Sequence, residues 1–563
     1  MADSLSARFG PLGKAEMTLI AGLGTGVSDR VGAGGLPAEG DEDRRVRADL
    51  VRFVLLGGPD APSMHEKGLR LSGAWITGTL DLEGCRIPRD IGLLDCRFEA
   101  TPVLRSAVID TLSFDGSHLP GFAADRLEAR GDLLFRAATV EGPISLRGGR
   151  IGGDLAFDGA ALTFSGDRAL QAERISVRGS ALFRGAAMRG GLHLTGARIG
   201  GDLDLVGASL DFPGGDALDA DTSAIDGDLA LRLASATGTV TVVGARIGGD
   251  VDLSGVTLSN PGALTFNLNR STATGALFLR DGASVDGTFS LNGATLGAIV
   301  DDPASWPKKG DLRLNRCLYG SLLGAAVSAE VRLEWLARQT PDRWGEDFWP
   351  QPYEQLARVL GEMGHDEDKR RVLMEKERLS RRARRGRARN AFEHGLLRLS
   401  DTVVGLTTGY GRQPLLALVW IVMLWMVGAV YYSILDQQQA VRPNSPVVLR
   451  SPEWVLCAVP RDQTTFLPSL GTERAGLAAD GQPQLGCWRR QPEASAYPRF
   501  NPLMLSADAI FPGLGTGQKD TWSPDTRQPI GYVGKWFMYF QTLAGLALGL
   551  LAVAGFSGIV KSN

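Results

Sequence analysis

IGGDLDLVGAS, residues 199–209, and IGGDVDLSGVT, residues 247–257, are two copies of one eleven-residue unit that reads roughly I-x-G-D-L-x-L-x-G-A-x. Further copies begin at Val140, Ile151, Val177, Met188, Ile225 and Val285. A longer period lies on top: Ile151, Ile199 and Ile247 are 48 residues apart, as are Gly131, Gly179, Gly227 and Gly275. Self-similarity at fixed periods is the signature of a solenoid, in which a unit buries its apolar face only by stacking on the next. Within a copy, Leu203 and Leu205 flank Asp204, and Val251 and Leu253 flank Asp252. Alternation with period two, over runs too short for a helix, points to short strands with aliphatics inward and solvated carboxylates outward. Glycine and alanine recur on either side, where the chain turns a corner and needs a small or φ-permissive residue. The fold is therefore read as mainly β, a right-handed parallel β-helix over residues 66–325 with two units to a coil. Every fourth unit lengthens, as in LTFSGDRAL (162–170) and LDFPGGDAL (210–218), and these insertions are expected to project from one face as loops.

The open ends of such a sheet need covers. In the N-terminal segment, residues 1–65, the stretch DRRVRADLVRFVLLGG (43–58) is predicted to form a cap helix with Val46, Leu50, Phe53 and Val54 on one face. At the other end residues 326–413 read as a helical linker. EVRLEWLARQ (330–339) starts it, two further helices part near Gly364, and residues 369–389 hold eleven Lys or Arg. An amphipathic stretch follows, with Phe392, Leu396, Leu399, Val403 and Leu406 on one side, suited to the headgroup layer of a bilayer.

Residues 414–435 hold 22 residues without a charge. At ~1.5 Å per residue such a helix is about 33 Å long, close to the thickness of a bilayer core. A second span is read at residues 535–560, uncharged from Trp536 to Val560. The basic block just before the first span marks that flank as cytoplasmic. The expected topology puts the β-helix and both termini in the cytoplasm of a bacterium, two helices across the inner membrane, and residues 436–534 outside as a Pro-rich loop with little apolar content. That topology sorts the five cysteines. Cys85, Cys96 and Cys317 fall in the reducing compartment, whereas Cys457 and Cys487 fall outside and are the disulfide candidates.

Little in the chain points to chemistry. A net charge of −3 argues against a nucleic-acid partner, and the five histidines are scattered. Gly22, Gly24 and Gly26 lack the third glycine position and the βαβ context of a dinucleotide fingerprint. No catalytic, cofactor-binding or metal-ligating residue is assigned. The segment FNPLMLSADAIFPGLGTGQKD (500–520) stands out, because a short apolar helix and a Gly-rich turn just before an apolar span is the layout of a pore loop. Its candidate residues are Ser506, Asp508, Gly513, Gly515, Thr516 and Gly517, with Asp508 supplying charge at the mouth. In the second span Gly545, Gly549 and Gly558 have the small-residue spacing of close helix packing, within the hairpin or between subunits of a homo-oligomer.

Four stretches together, RLSGAWITGTLDLEG (70–84), PQPYEQLA…GHDEDKRRVL (350–373), TTGYGRQP (407–414) and SADAIFPGLGTGQ (506–518), resemble a family of bacterial membrane proteins related to pentapeptide-repeat solenoids. The resemblance covers nearly the whole chain. Members are often labelled membrane-associated oxidoreductase, which implies a redox activity, though the residues themselves point to no redox centre. The repeats depart from the strict A-D/N-L-x-x pentapeptide, so the DNA mimicry of some pentapeptide proteins is not implied. Three functions follow as expectations: a membrane-tethered scaffold that binds a cytosolic protein, an oligomeric pore gated by the β-helix, and, on the family label alone, an oxidoreductase.

Overall fold

The computed structural model describes residues 2–27, 29–32, 35–58, 61–324, 327–388, 390–408 and 415–556. They divide into two compact units, Met1–Lys376 and Glu377–Asn563.

The first unit is a parallel β-solenoid of about twelve turns. Strands of two residues, such as Leu203–Asp204 and Val251–Asp252, stack coil on coil. One ladder runs Ala181, Leu203, Leu229, Val251, Leu277, and each member is buried. Beside it Phe114, Phe135, Phe157 and Phe183 stack ring on ring at 5.2, 4.8 and 5.3 Å. The register explains the long period. Partners Arg150, Ser176, Arg198, Ala224 and Arg246 are separated by 26, 22, 26 and 22 residues, so one 48-residue period is a long coil plus a short one.

The long coils carry their extra residues in the eleven-residue strands Ala161–Gln171, Ser209–Asp219 and Thr257–Asn267. These are not the projecting loops expected. Both ends of each pair in register with neighbouring coils, and the register slips only in between, as between Thr163 and Arg168. The insertions are bulges held within a sheet, because pairing at both ends leaves only a few residues to accommodate.

The recurring glycines serve two purposes. Gly207 and Gly255 have φ of +67° and +66°, the turn geometry anticipated. Gly227 does not; it is glycine because a Cβ there would lie 2.1 Å from Oδ1 of Asp202 in the preceding coil. That contact belongs to an aspartate ladder. Asp132, Asp154, Asp202, Asp228 and Asp250 each accept a backbone N–H from the following coil at 2.7–2.8 Å. These carboxylates are structural acceptors and not merely solvated surface. Asp204, between the core leucines, bonds only its own turn, through Val206 N at 3.0 Å.

Both ends are covered. At the N-terminus the helix begins at Ala48, later than expected, because Arg45–Arg47 forms a strand paired with Trp75–Thr77, and Val46 is buried there. Buried Glu16 fastens this cap, accepting from Arg47 Nε at 2.7 Å and Arg47 N at 3.1 Å. At the other end the helix Ala329–Leu336 buries Arg332 completely in a bidentate pair with Asp301, at 2.7 and 2.8 Å, and Trp306 Nε1 donates to the same carboxylate. The helices Gln351–Glu362 and Asp366–Gly386 follow, parted at Gly364 with φ +85°.

The second unit contains the amphipathic helix Ala391–Thr408 and two helices, Leu415–Gln437 and Pro529–Phe556, long and apolar enough to cross a membrane. The latter starts at Pro529, six residues before the expected boundary, with proline in the first turn where its missing N–H costs nothing. On the amphipathic helix Asp401 is buried against Arg381, at 3.0 Å, and Arg385. Its apolar stripe is open, Phe392 being 81% exposed and Leu396, Leu399, Val403 and Leu406 also exposed. In TTGYGRQP, residues 409–414 lie outside the described residues.

Candidate functional site: a helical wedge between two apolar helices

The segment between the apolar helices is not an unstructured loop with little to fold on. Val441–Pro443 pairs antiparallel with Trp522–Pro524 and closes its base. Trp454, Leu485, Trp488 and Trp522 are buried, and edge-to-face contacts link Trp454, Trp488, Tyr497, Trp522 and Phe500 at 5.5–5.6 Å. Cys457 and Cys487 are joined in a disulfide inside this core. Aromatic side chains spread thinly along the sequence converge here, so a low aliphatic content misjudged the segment.

From this core the helix Pro502–Ile510 enters the angle between the two apolar helices and touches both. Asn501 Oδ1 caps it by accepting from Leu503 N and Met504 N at 3.0 and 3.3 Å. Its polar face is fully used. Ser506 Oγ donates to the Trp425 carbonyl at 2.9 Å and accepts from Gln541 Nε2 at 3.1 Å. Gln541 Nε2 also reaches the Leu424 carbonyl at 3.2 Å, and Gln541 Oε1 accepts from the Tyr432 hydroxyl at 2.6 Å. Tyr432, Ser506 and Gln541 are wholly buried. Gln541 is the midpoint of Pro529–Val553, so the network lies halfway along that apolar helix. A buried network is stable only when every member is satisfied, and this one is.

Gly428 makes the arrangement possible. A Cβ there would lie 2.0 Å from Gln541 Nε2 and 2.3 Å from Ser506 Oγ. It was missed in the sequence because it sits alone in an apolar run, and the available signal was one small residue opposite Gln541, the strongly polar residue at the middle of the other helix. Gly545 is likewise required, since a Cβ would lie 2.5 Å from the Ile510 carbonyl. Its partner is the wedge helix. Among the described residues nothing lies within 4 Å of where a Cβ on Gly549 would stand, and Gly549 lines an apolar groove of about 560 Å³ with Phe511, Leu514, Leu546, Leu550 and Val553. Gly558 lies outside the described residues.

The Gly-rich turn is organised by Asp508. Its carboxylate accepts from Thr516 N and Gln518 N, both at 2.9 Å, and from Lys519 N at 3.2 Å. Burial by itself would raise its pKa, but the hydrogen bonds from Thr516, Lys519 and Gln518 outweigh that and hold it below the usual carboxylate value. Asp508 is thus a buried clasp whose carboxylate is taken up by the turn's own N–H groups. Gly513, Gly515 and Gly517 have no neighbour where a Cβ would stand, and the last two have φ of +66° and +80°. They are in the turn for backbone conformation.

Among the described residues no three His, Cys, Asp or Glu side chains group as metal ligands. No family model matches the chain, and no curated protein is similar to it.

Proposed function

We propose that the chain is a membrane-tethered scaffold whose β-solenoid presents its long faces to a cytosolic protein at the bacterial inner membrane. The observation that carries this reading is the pairing of one regular solenoid with two apolar helices on one chain. Along the solenoid many polar side chains bond to the adjacent coil, as the carboxylates of Asp132, Asp154 and Asp202 do. The open apolar stripe of Ala391–Thr408 supports the same reading, because an amphipathic helix with its polar side tied down and its apolar side bare suits the headgroup boundary. The test is topology in cells. Reporters after Asn563 and within residues 460–480 should report opposite sides, and the chain should stay with membranes through alkaline extraction. Release into the soluble fraction overturns the tether. A crosslinker placed in turn on each solenoid face should trap one recurring adduct, and adducts from no face overturn the scaffold.

A second reading, an oligomeric pore, is favoured by one observation: Pro502–Ile510 reaches the middle of both apolar helices, where a pore helix sits. In that reading Asp508 shapes the turn and does not line the path. Light scattering in detergent separates the two, since a single hairpin cannot enclose a channel. The oxidoreductase label of the resembling family gains no supporting residue.

A further inference from the structure

The solenoid uses its arginines in two ways. Some pair with a carboxylate of the preceding coil: Arg136 with Asp115, Arg147 with Asp125 and Arg184 with Asp158, at 2.9, 2.9 and 2.8 Å. Others do not. Arg150, Arg198 and Arg246 recur every second coil in the register Arg150, Ser176, Arg198, Ala224, Arg246, Thr272. Arg178 stands in the adjoining row, two residues beyond Ser176. All four are exposed, and none makes a hydrogen bond or ion pair among the described residues.

Packing does not call for them. The next residues inward, Ile151, Ile199 and Ile247, carry the core, and the same outward position is Ser, Ala or Thr in the intervening coils. The rest of the two rows is Gly152, Gly200, Gly248 and Thr274, with Asp226 the one carboxylate between Arg150 and Thr274; Glu128 lies one coil before Arg150. With coils about 4.8 Å apart, the three recurring arginines form a straight line at intervals of roughly 10 Å on a flat ground of small residues. Between Arg150 and Thr274 no aromatic or large aliphatic side chain projects from these rows, the exposed Leu318 standing two coils beyond Thr272, so the arginine-bearing stretch lacks the buried anchors on which protein–protein docking depends. Guanidinium groups need no such anchor to bind phosphate oxygens in pairs.

We infer that this face binds the phosphate headgroups of an anionic lipid surface. The inference rests on the membrane-tether reading above, in which the apolar helices keep lipid at high effective concentration. A planar headgroup layer meets the whole arginine line at once, and binding through charge alone is screened by salt and set by the anionic lipid content.

The test uses the full chain in nanodiscs, carrying Cys85→Ser and a donor dye on a cysteine introduced by Ser176→Cys, with acceptor dye on a fraction of the lipid headgroups. Energy transfer should rise about threefold from zwitterionic to anionic discs and fall back in about 0.5 M salt. The combined variant Arg150→Gln, Arg198→Gln, Arg246→Gln should abolish the rise while leaving the β circular dichroism unchanged. Equal transfer in both lipids, or a rise that survives the triple variant, overturns the inference. So does duplex DNA bound in an arginine-dependent way by a protein indifferent to anionic discs, which would make the face a nucleic-acid site. A chain that fails to enter discs overturns the tether and this inference together; one that enters without lipid-dependent transfer overturns this inference alone.

Discussion

In the solenoid, the bonds that order a residue come from the coil before it and the coil after it. In the hairpin unit they come from far along the chain: Trp425 to Leu503, Tyr432 to Gln541 and Gln541 to Leu424 span 78, 109 and 117 residues. The two regions therefore respond differently to damage. A fault in a solenoid coil strikes its neighbours through the ladder and is repeated nowhere else. A fault in the wedge releases several partners at once, because Ser506 and Gln541 each hold two or more of them. The largest expected effect tests the first half of this contrast. Leu203 is fully buried between Ala181 and Leu229, so Leu203→Asp puts an unpaired carboxylate into a dry ladder. We expect a loss of about 4 kcal/mol or more in thermal or denaturant unfolding of the first unit, with the second unaffected. A small loss would mean that the inward face is wrongly assigned.

The disulfide tests the second half. Cys457→Ala with Cys487→Ala opens a loop of 30 residues. Chain entropy gives about 3–4 kcal/mol for a loop of that length, to be lost from the segment around Trp454 and Trp488. Limited proteolysis should then cut within residues 458–486 while the solenoid bands persist. Simultaneous loss of the solenoid would show that the two units do not fold independently.

What could be read from sequence follows the same division. The solenoid was legible because each residue's surroundings are fixed by residues one coil away, so spatial order is written as a period. Its insertions were misjudged because pairing at both ends of 161–171 depends on a register that the letters do not show. The cap pairs Glu16–Arg47 and Asp301–Arg332 were not legible, since each joins segments with no repeat to relate them. For the hairpin unit hydropathy disclosed the two apolar helices and flagged the wedge segment. It did not disclose that Asp508 turns inward to clasp its own loop, nor that Gly428 faces Gln541.

The wedge network gives the next effect down. Gln541→Leu leaves the buried Tyr432 hydroxyl without its acceptor and Ser506 Oγ without its donor, while Ser506 keeps the Trp425 carbonyl, at about 1–3 kcal/mol. Adding Tyr432→Phe should then cost almost nothing, and a double-mutant cycle in detergent would show that coupling. Additive losses would mean that the network does not act as a unit.

Asp508 gives a pH signature. Its folded pKa is lowered, so its stabilisation is complete above the unfolded value of about 3.9 and is lost as pH falls through the folded one. Below about pH 4 the wild-type second unit should lose melting temperature faster than Asp508→Asn does, and parallel curves would remove the clasp from the account.

The smallest effects separate two aspartates of the solenoid that look alike in the sequence. Asp154 follows a Gly-Gly pair and its Oδ1 accepts from Ser180 N of the next coil at 2.8 Å. Asp204 lies between core leucines and bonds only to Val206 N of its own turn, with Arg184 Nε at 3.8 Å from its other oxygen. Asp154→Ala leaves a partly buried amide unpartnered and should cost about 1 kcal/mol. Asp154→Asn keeps an acceptor oxygen in the same place and should recover most of that loss. Asp204→Ala removes a turn contact and a long, exposed ion pair, and should change stability by less than about 0.5 kcal/mol. The order matters more than the sizes. If Asp154→Asn is as harmful as Asp154→Ala, the carboxylate acts through its charge and the ladder is electrostatic. If Asp204→Ala matches Asp154→Ala, coil-to-coil acceptance by aspartate contributes nothing of its own, and the glycines that stand beneath these carboxylates, Gly179 and Gly227 among them, need another explanation.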